Sequence, residues 1–150
     1  MLLETTIDDM NPQAYELLME RLYAGGAAEV WLTPVSMKKK RPGVVVSAIA
    51  RTGAREALTS IIFEHSTSLG VRSIDIRRSK AGRSFQTVTT RFGDVKVKLK
   101  VLDGRVTSVA PEYDDCAALS RASGAPFALI WDEAHRIGER FIGTRVTAEE

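Results

Sequence analysis

Apolar positions along the first eighty residues switch between two periods, and the switches mark the elements. "LLETTID" (2–8) is rich in apolar and β-branched residues and predicts a strand. In "DMNPQAYELLMERLYAGGA" the period lengthens: Ala14, Leu17, Leu18 and Leu22 fall on one helical face. Asn11 is the expected cap, Pro12 the first helical residue, and Gly25-Gly26 the stop. "AEVWLTPVSM" (28–37) predicts a strand, and Pro34, which lacks a ladder donor, predicts that it lies at a sheet edge. "GVVVSAIA" (43–50) is almost wholly apolar and predicts a strand inside the sheet. "GAREALTSIIFEHS" (53–66) predicts a second helix with Ala54, Leu58, Ile61 and Ile62 inward, and "VRSIDIRRS" (71–79) a fourth strand. The order β-α-β-β-α-β folds most readily as a ferredoxin-like sheet with both helices on one face. In that topology the second strand is an edge, as Pro34 requires independently.

After Gly82 the pattern changes. "SFQTVTTRF" (84–92), "VKVKLKVLDG" (95–104) and "RVTSVAPEY" (105–113) predict a meander, with turns at Gly93-Asp94 and Asp103-Gly104. "DDCAALSRASG" (114–124) predicts a short helix capped by Asp114 or Asp115 and stopped by Gly124, and "APFALIWDEAHRIG" (125–138) another that opens at Pro126. The expected fold class is α+β: a ferredoxin-like βαββαβ subdomain over residues 1–82, then a β-meander and two short helices over 83–143. Residues 144–150 form a polar tail, with disorder the expectation.

Composition narrows the classes. The 150 residues are 44% hydrophobic and 27% charged, enough apolar material for a core. The 21 Lys and Arg nearly balance the 19 Asp and Glu, which argues against a general nucleic-acid binder and for a local basic site. RNA-binding sheets stack bases on exposed aromatics. The strands here offer few, namely Trp31, Phe85 and Phe92. The single cysteine, Cys116, excludes an internal disulfide and a Cys-cluster metal site; it is most simply a buried helix residue. His65 and His135 lie on separate elements, so no transition-metal site is expected. No apolar run reaches the roughly 20 residues of a membrane span, and a cytoplasmic setting is the default expectation. The start lacks the pattern of a signal peptide, and an N-terminal strand without lead-in suggests a domain of a longer protein.

Four stretches hold candidate chemistry. "MKKKRPG" (37–43) places Lys38, Lys39, Lys40 and Arg41 in the turn between the second and third strands. One reading is a solvated turn whose cations discourage edge pairing. The other is a polyanion site, in which lysines supply compact charge and Arg41 grips two phosphate oxygens. "ETTIDDM" (4–10) holds Glu4, Asp8 and Asp9 at a strand exit, with Glu4 and Asp8 sharing strand parity. They serve either helix entry or a magnesium ion, which takes one or two protein carboxylates and leaves positions for substrate phosphate. "STSLGVR" (66–72) offers hydroxyls and Arg72 at a helix end, and "PEYDDC" (111–116) is a second acidic cluster. Lys96, Lys98 and Lys100 alternate with apolar residues, giving one sheet face that is basic and one that is apolar.

"ETTIDDM", "TPVSMKKKRPG", "STSLGVR" and "PEYDDC", in this order, resemble the C-terminal domain of the LarC family, from about Glu4 to about Ala134. The family pattern usually has asparagine where Thr6 stands, asparagine or glycine where Lys40 stands, and threonine where His65 stands. The resemblance implies nickel-inserting cyclometallases of the lyase class. These convert a pyridinium bis-thiocarboxylic acid mononucleotide to the nickel-pincer cofactor of lactate racemase. They consume CTP to CMP and pyrophosphate with magnesium or manganese, in a reaction resembling cytidylyl activation. It further implies that this domain binds CTP, with Lys38, Lys39, Arg41, Ser66, Thr67 and Arg72 on the phosphates and Asp8 or Asp9 on the divalent ion. Glu112 and Asp114 compete for that last role, and Lys40 is left to the solvated turn. Nickel is expected as the inserted metal, not held by this domain alone. An N-terminal region of the same family is an expected partner, so this chain is expected to bind nucleotide without inserting nickel by itself. A homo-oligomer is also expected; nucleic acid and membrane are not. The alternative is a non-catalytic ferredoxin-like ligand-binding or oligomerisation module.

Overall fold

The computed structural model describes residues 1–146. The chain divides into two compact units, 1–78 and 79–150.

The first unit contains β1 (Leu2–Ile7), α1 (Ala14–Ala24), β2 (Ala27–Ser36), β3 (Pro42–Ala50), α2 (Arg55–His65) and β4 (Arg72–Ile74). Its sheet has the order β2-β3-β1-β4 with every neighbouring pair antiparallel, which is the ferredoxin-like arrangement. Pro34 sits on β2, an edge strand, and β3 lies inside the sheet, as their compositions require. Strand alternation sends Leu3 and Ile7 of β1 and Val46 and Ala48 of β3 into a core shared with Leu18, Leu22, Leu58 and Ile62 of the helices. Glu4, Thr6 and Asp8 therefore share the opposite parity.

Two local expectations change. Helix α1 buries Tyr15, Leu18 and Leu22 and leaves Leu17 exposed, so its inward face is rotated from the expected one. Asn11 still organises the entry, its Oδ1 accepting the Gln13 N–H at 3.1 Å, but the helix proper begins at Ala14. The fourth strand stops at Ile74 rather than running to 79. Its pairing with β1 ends at Ile74, opposite Leu2, and the next residue, Asp75, instead accepts from Arg55 of α2 at 3.0 Å.

The turn between β2 and β3 is built with unusual backbone. Met37 N–H donates to the Arg41 carbonyl at 2.8 Å, closing a loop of Lys38, Lys39 and Lys40. Lys39 and Lys40 both adopt left-handed conformations, with φ of 59° and 57°. An L-residue there costs about 1 kcal/mol, which glycine or asparagine avoids. Gly43 follows, where an added Cβ would meet the Met37 side chain and come within 2.9 Å of the Ile7 carbonyl oxygen. Gly43→Ala is expected to cost about 1–3 kcal/mol, because the obstacle at Ile7 is backbone and cannot swing away. Chemical denaturation would show this, and a cost below about 0.5 kcal/mol would mean that the strand relaxes freely.

The second unit contains β5 (Gly82–Thr90), β6 (Gly93–Leu102), β7 (Arg105–Pro111), α3 (Tyr113–Ser123) and α4 (Phe127–Gly138). The strands form an antiparallel meander with β6 in the middle. Val95, Val97 and Leu99 of β6 meet Val88, Cys116, Ile130 and Ala134 in a separate core. Asp103-Gly104 makes the second hairpin turn, with φ of 50° and 72°. The first hairpin turns at Arg91-Phe92, two residues before the expected position, and Gly93 begins β6. There the Thr90 hydroxyl donates to the Gly93 carbonyl and accepts the Phe92 N–H, while Gly93 admits the Leu119 side chain within 2.7 Å of where a Cβ would stand. Asp114 and Asp115 lie in the first turn of α3 rather than at its cap, which is Glu112. Asp115 accepts the Lys96 N–H at 2.8 Å, tying helix to strand. Gly124 ends α3 in the left-handed conformation at φ 71°. Thr144, Arg145 and Val146 of the polar tail run beside the start of β7, with an Arg105–Arg145 bridge and the Val146 N–H on the Gly104 carbonyl. Residues 147–150 lie outside the described residues.

Candidate functional site

At the exit of β1 the first unit gathers side chains from three separate stretches. Arg41, at the foot of the basic turn, approaches Asp8 with Nη1–Oδ2 of 3.4 Å. Thr67, in the loop after α2, donates its hydroxyl to Asp9 Oδ1. Arg72 on β4 reaches back along the sheet, donating from Nε to Glu4 Oε2 at 3.1 Å and from Nη2 to Thr6 Oγ1 at 2.9 Å. The β2–β3 turn, the α2 loop and β4 thus converge on β1, because β1 is flanked by β3 and β4 and is followed directly by Asp8 and Asp9.

The loop after α2 is self-supporting. Ser66 turns its hydroxyl back to the Ile62 carbonyl at 2.6 Å and accepts the Ser68 N–H at 3.2 Å, so it shapes the loop rather than facing outward. Ser68 is hydrogen-bonded to the buried Thr5 hydroxyl and accepts the Gly70 N–H at 3.2 Å. Thr5, only 1% exposed, also donates to the Gly70 carbonyl at 2.9 Å, which pins the loop to β1. Thr5 and Thr6 are site residues that composition and charge do not single out. The available signal was parity: Thr6 stands between Glu4 and Asp8 on one face, and Thr5 points the other way.

Glu4 is the hub of the outer face. Its second oxygen accepts the hydroxyl of Ser47 at 3.0 Å, and Ser47 is itself buried. The ion pairs Arg41–Asp8 and Arg72–Glu4 are half-exposed on the arginine side, so each contributes at most about 1 kcal/mol and chiefly sets geometry. Arg41 and Arg72 each keep N–H donors beyond those used here. Lys38, Lys39 and Lys40 form no ion pair among the described residues. Of the cations in these stretches, only Arg41 and Arg72 are paired with a carboxylate among the described residues, Asp8 and Glu4 respectively. Tyr15, on the buried face of α1, has its phenol pKa raised by burial and by the charge of Asp9.

The carboxylates bear on a divalent ion in a limited way. No group of three or more His, Cys, Asp or Glu side chains is placed to hold a metal among the described residues. Asp8 and Asp9 each have one oxygen engaged and one left over. A fully protein-ligated ion does not fit this set. An ion that arrives on a phosphate and takes one or two carboxylate oxygens does. Glu112 and Asp114 lie in the second unit, where Glu112 pairs with Lys98 at 3.3 Å. His65 ends α2, whereas Cys116 and His135 lie on α3 and α4. Burial and the neighbouring Asp115 push the Cys116 thiol pKa up.

Fold and site together define the class first: a ferredoxin-like α+β unit with a cation-rich turn at the exit of its first strand, followed in sequence by a helix-backed meander. LarC2, the C-terminal domain of a cyclometallase involved in the synthesis of the NPN cofactor of lactate racemase, superposes on the chain with a TM-score of 0.88. It is 31% identical, and the match covers 92% of this chain and 95% of that one. The family of nickel insertion proteins matches residues 1–131, and the chain belongs to it. A putative nickel insertion protein of Thermomicrobium roseum is 48% identical over all 150 residues. The pyridinium-3,5-bisthiocarboxylic acid mononucleotide nickel insertion protein of Thermotoga petrophila is 37% identical over 135 residues. The chain spans only 37% and 34% of these two relatives. A protein from Methanopyrus kandleri, 23% identical with a TM-score of 0.67, shares the fold.

Proposed function

We propose that this chain is the CTP-binding part of a nickel-inserting cyclometallase. That enzyme would convert pyridinium-3,5-bisthiocarboxylic acid mononucleotide to the nickel-pincer cofactor of lactate racemase. The observation that carries the reading is the convergence at the β1 exit, where Arg41 meets Asp8 and Thr67 meets Asp9. Phosphoryl and nucleotidyl transfer depend on positioning and charge neutralisation more than on covalent chemistry. Lys38, Lys39 and Arg41 supply the charge, and Arg72 offers a forked donor from β4, the strand on the other side of β1. The Thr67 hydroxyl is free to exchange Asp9 for a phosphate oxygen, with Ser66 holding the loop in shape. Asp8 or Asp9 would hold a magnesium or manganese ion, which would supply charge neutralisation for the phosphates. In the activation step an oxygen of the substrate would attack the α-phosphorus of CTP and pyrophosphate would leave. The cations of the turn stabilise the charge that grows on the departing group. Nickel is cargo, and the remaining part of the protein, together with a homo-oligomeric assembly in the cytoplasm, completes the reading. The chain alone is expected to bind nucleotide and to insert no nickel.

Thermal shift with magnesium plus CTP, ATP or a short single-stranded RNA tests this. At a hundredfold excess over its dissociation constant CTP should add about 2.7 kcal/mol of stability. Selective stabilisation by CTP supports the reading. Indifference to all three returns the chain to a non-catalytic ferredoxin-like module. Asp8→Asn and Asp9→Asn, made separately, keep side-chain shape and remove charge. One of them should lower manganese-dependent CTP affinity about tenfold in a folded protein. If both bind like the parent, the ion is held elsewhere.

A further inference from the structure

The outer face of the second sheet carries a charge pattern that the site on β1 does not use. Register places Arg83, Phe85 and Thr87 of β5 opposite Lys100, Lys98 and Lys96 of β6. Val95, Val97, Leu99 and Val101 of β6 are buried, so these lysines all stand on the open face. Lys98 is paired with Glu112, whereas Arg83, Lys96 and Lys100 form no ion pair among the described residues. Arg83 and Lys100 are directly opposite each other, an arrangement in which like charges repel and cost stability. Protection of a sheet edge does not account for the lysines, because β6 is the middle strand.

Beside this pair the surface sinks into a depression of about 320 Å³, bordered by Arg83, Lys98 and Lys100, with Ala81, Gly82, Leu99, Ser108, Val109 and Ala110 completing a mostly apolar lining. That volume lies at the lower end of small-molecule sites, about 300–1,000 Å³. A mostly apolar lining with a cationic rim suits a flat ring that carries negative groups at its periphery. The ring would displace water from the lining while its anions meet the rim.

We propose that this face binds a planar aromatic polyanion of mononucleotide size, at a site whose residues are distinct from those at the β1 exit. Its occupant as the pyridinium mononucleotide substrate rests on the function proposed above; the anion site itself does not. Nicotinic acid mononucleotide is the probe, its ring carboxylate standing for a thiocarboxylate. Titration of the 150-residue chain, followed by calorimetry and amide chemical-shift mapping, should show saturable binding with shifts centred on Gly82, Arg83, Lys98 and Lys100. Arg83→Ala with Lys100→Ala should weaken it at least tenfold, with spectral dispersion retained. Nicotinamide mononucleotide, which lacks the carboxylate, should bind several-fold more weakly. Lys39→Ala with Arg41→Ala should leave the probe's affinity unchanged while reducing that of CTP. Binding of the probe without any binding of CTP would sink the proposed function and keep this site. Absence of saturable binding overturns the site, as do shifts confined to the first unit. Inorganic phosphate giving the same shifts at equal affinity, or single-stranded RNA displacing the probe at lower concentration, would overturn it too.

Discussion

Replacing Lys39 and Arg41 together with alanine should lower magnesium–CTP affinity about 100-fold and leave the melting temperature nearly unchanged. A hydrogen bond to a charged group contributes about 1.5–3 kcal/mol, and each 1.4 kcal/mol is tenfold in affinity. Loss of two phosphate contacts therefore removes at least two orders of magnitude. Stability is expected to hold because Arg41 is half-exposed and its pair with Asp8 contributes little. Lys39 occupies a left-handed conformation that alanine tolerates no worse than lysine. Isothermal titration on the folded double variant decides the matter. Unaltered CTP affinity would return the turn to a solvated loop. Arg72→Lys offers a narrower comparison, since a point charge cannot reproduce the fork to Glu4 and Thr6.

Leu99→Ala should be the most destabilising single change in the second unit, by about 2–5 kcal/mol. Leu99 is fully buried in the middle strand and belongs to the core that α3 and α4 cover. Its removal leaves a cavity in that core beside Ser84 and Val109, its register partners on β5 and β7, whose backbone is fixed by the sheet ladder and can collapse only in part. For a unit of this size such a loss lowers the melting point by roughly 10 °C or more, at about 4–8 °C per kcal/mol. Trp131 packs against the same core and reports the transition by fluorescence during urea denaturation. A change under 1 kcal/mol would mean that the core repacks around the gap. Lys98→Ala, one residue away and on the open face, serves as the control with little expected change.

The ferredoxin-like order was legible in the chain because its determinants are local. Pro34 excludes an interior strand, the apolar run at 43–50 demands one, and alternation in Lys96–Val101 assigns each side chain to a face. Gly124 and Asp103-Gly104 mark stops and turns through backbone freedom alone. The orientation of α1 was not legible. Leu17 and Tyr15 are both acceptable on an apolar face, and only packing against the sheet chose Tyr15. The end of β4 was equally hidden, since Asp75, Ile76 and Arg77 continue the strand-like alternation although the pairing with β1 stops at Ile74.

The candidate site divides in the same way. Residue types nominated the stretches 4–10, 37–43 and 66–72, and the family resemblance singled out Lys38, Lys39, Arg41, Ser66, Thr67, Arg72, Asp8 and Asp9 within them. Which of these meet was decided by topology: the β2-β3-β1-β4 order sets the basic turn and β4 on either side of β1, joining residues 33 to 68 positions apart. The fold also turned Ser66 inward to its own helix and recruited Thr5 and Thr6. Sequence by itself therefore determined the inventory of chemistry and the alternation that sorts it between faces, because both follow from bonds along the chain. Only the tertiary structure decided which carboxylate each cation faces, because that depends on strand register and loop closure across the sheet.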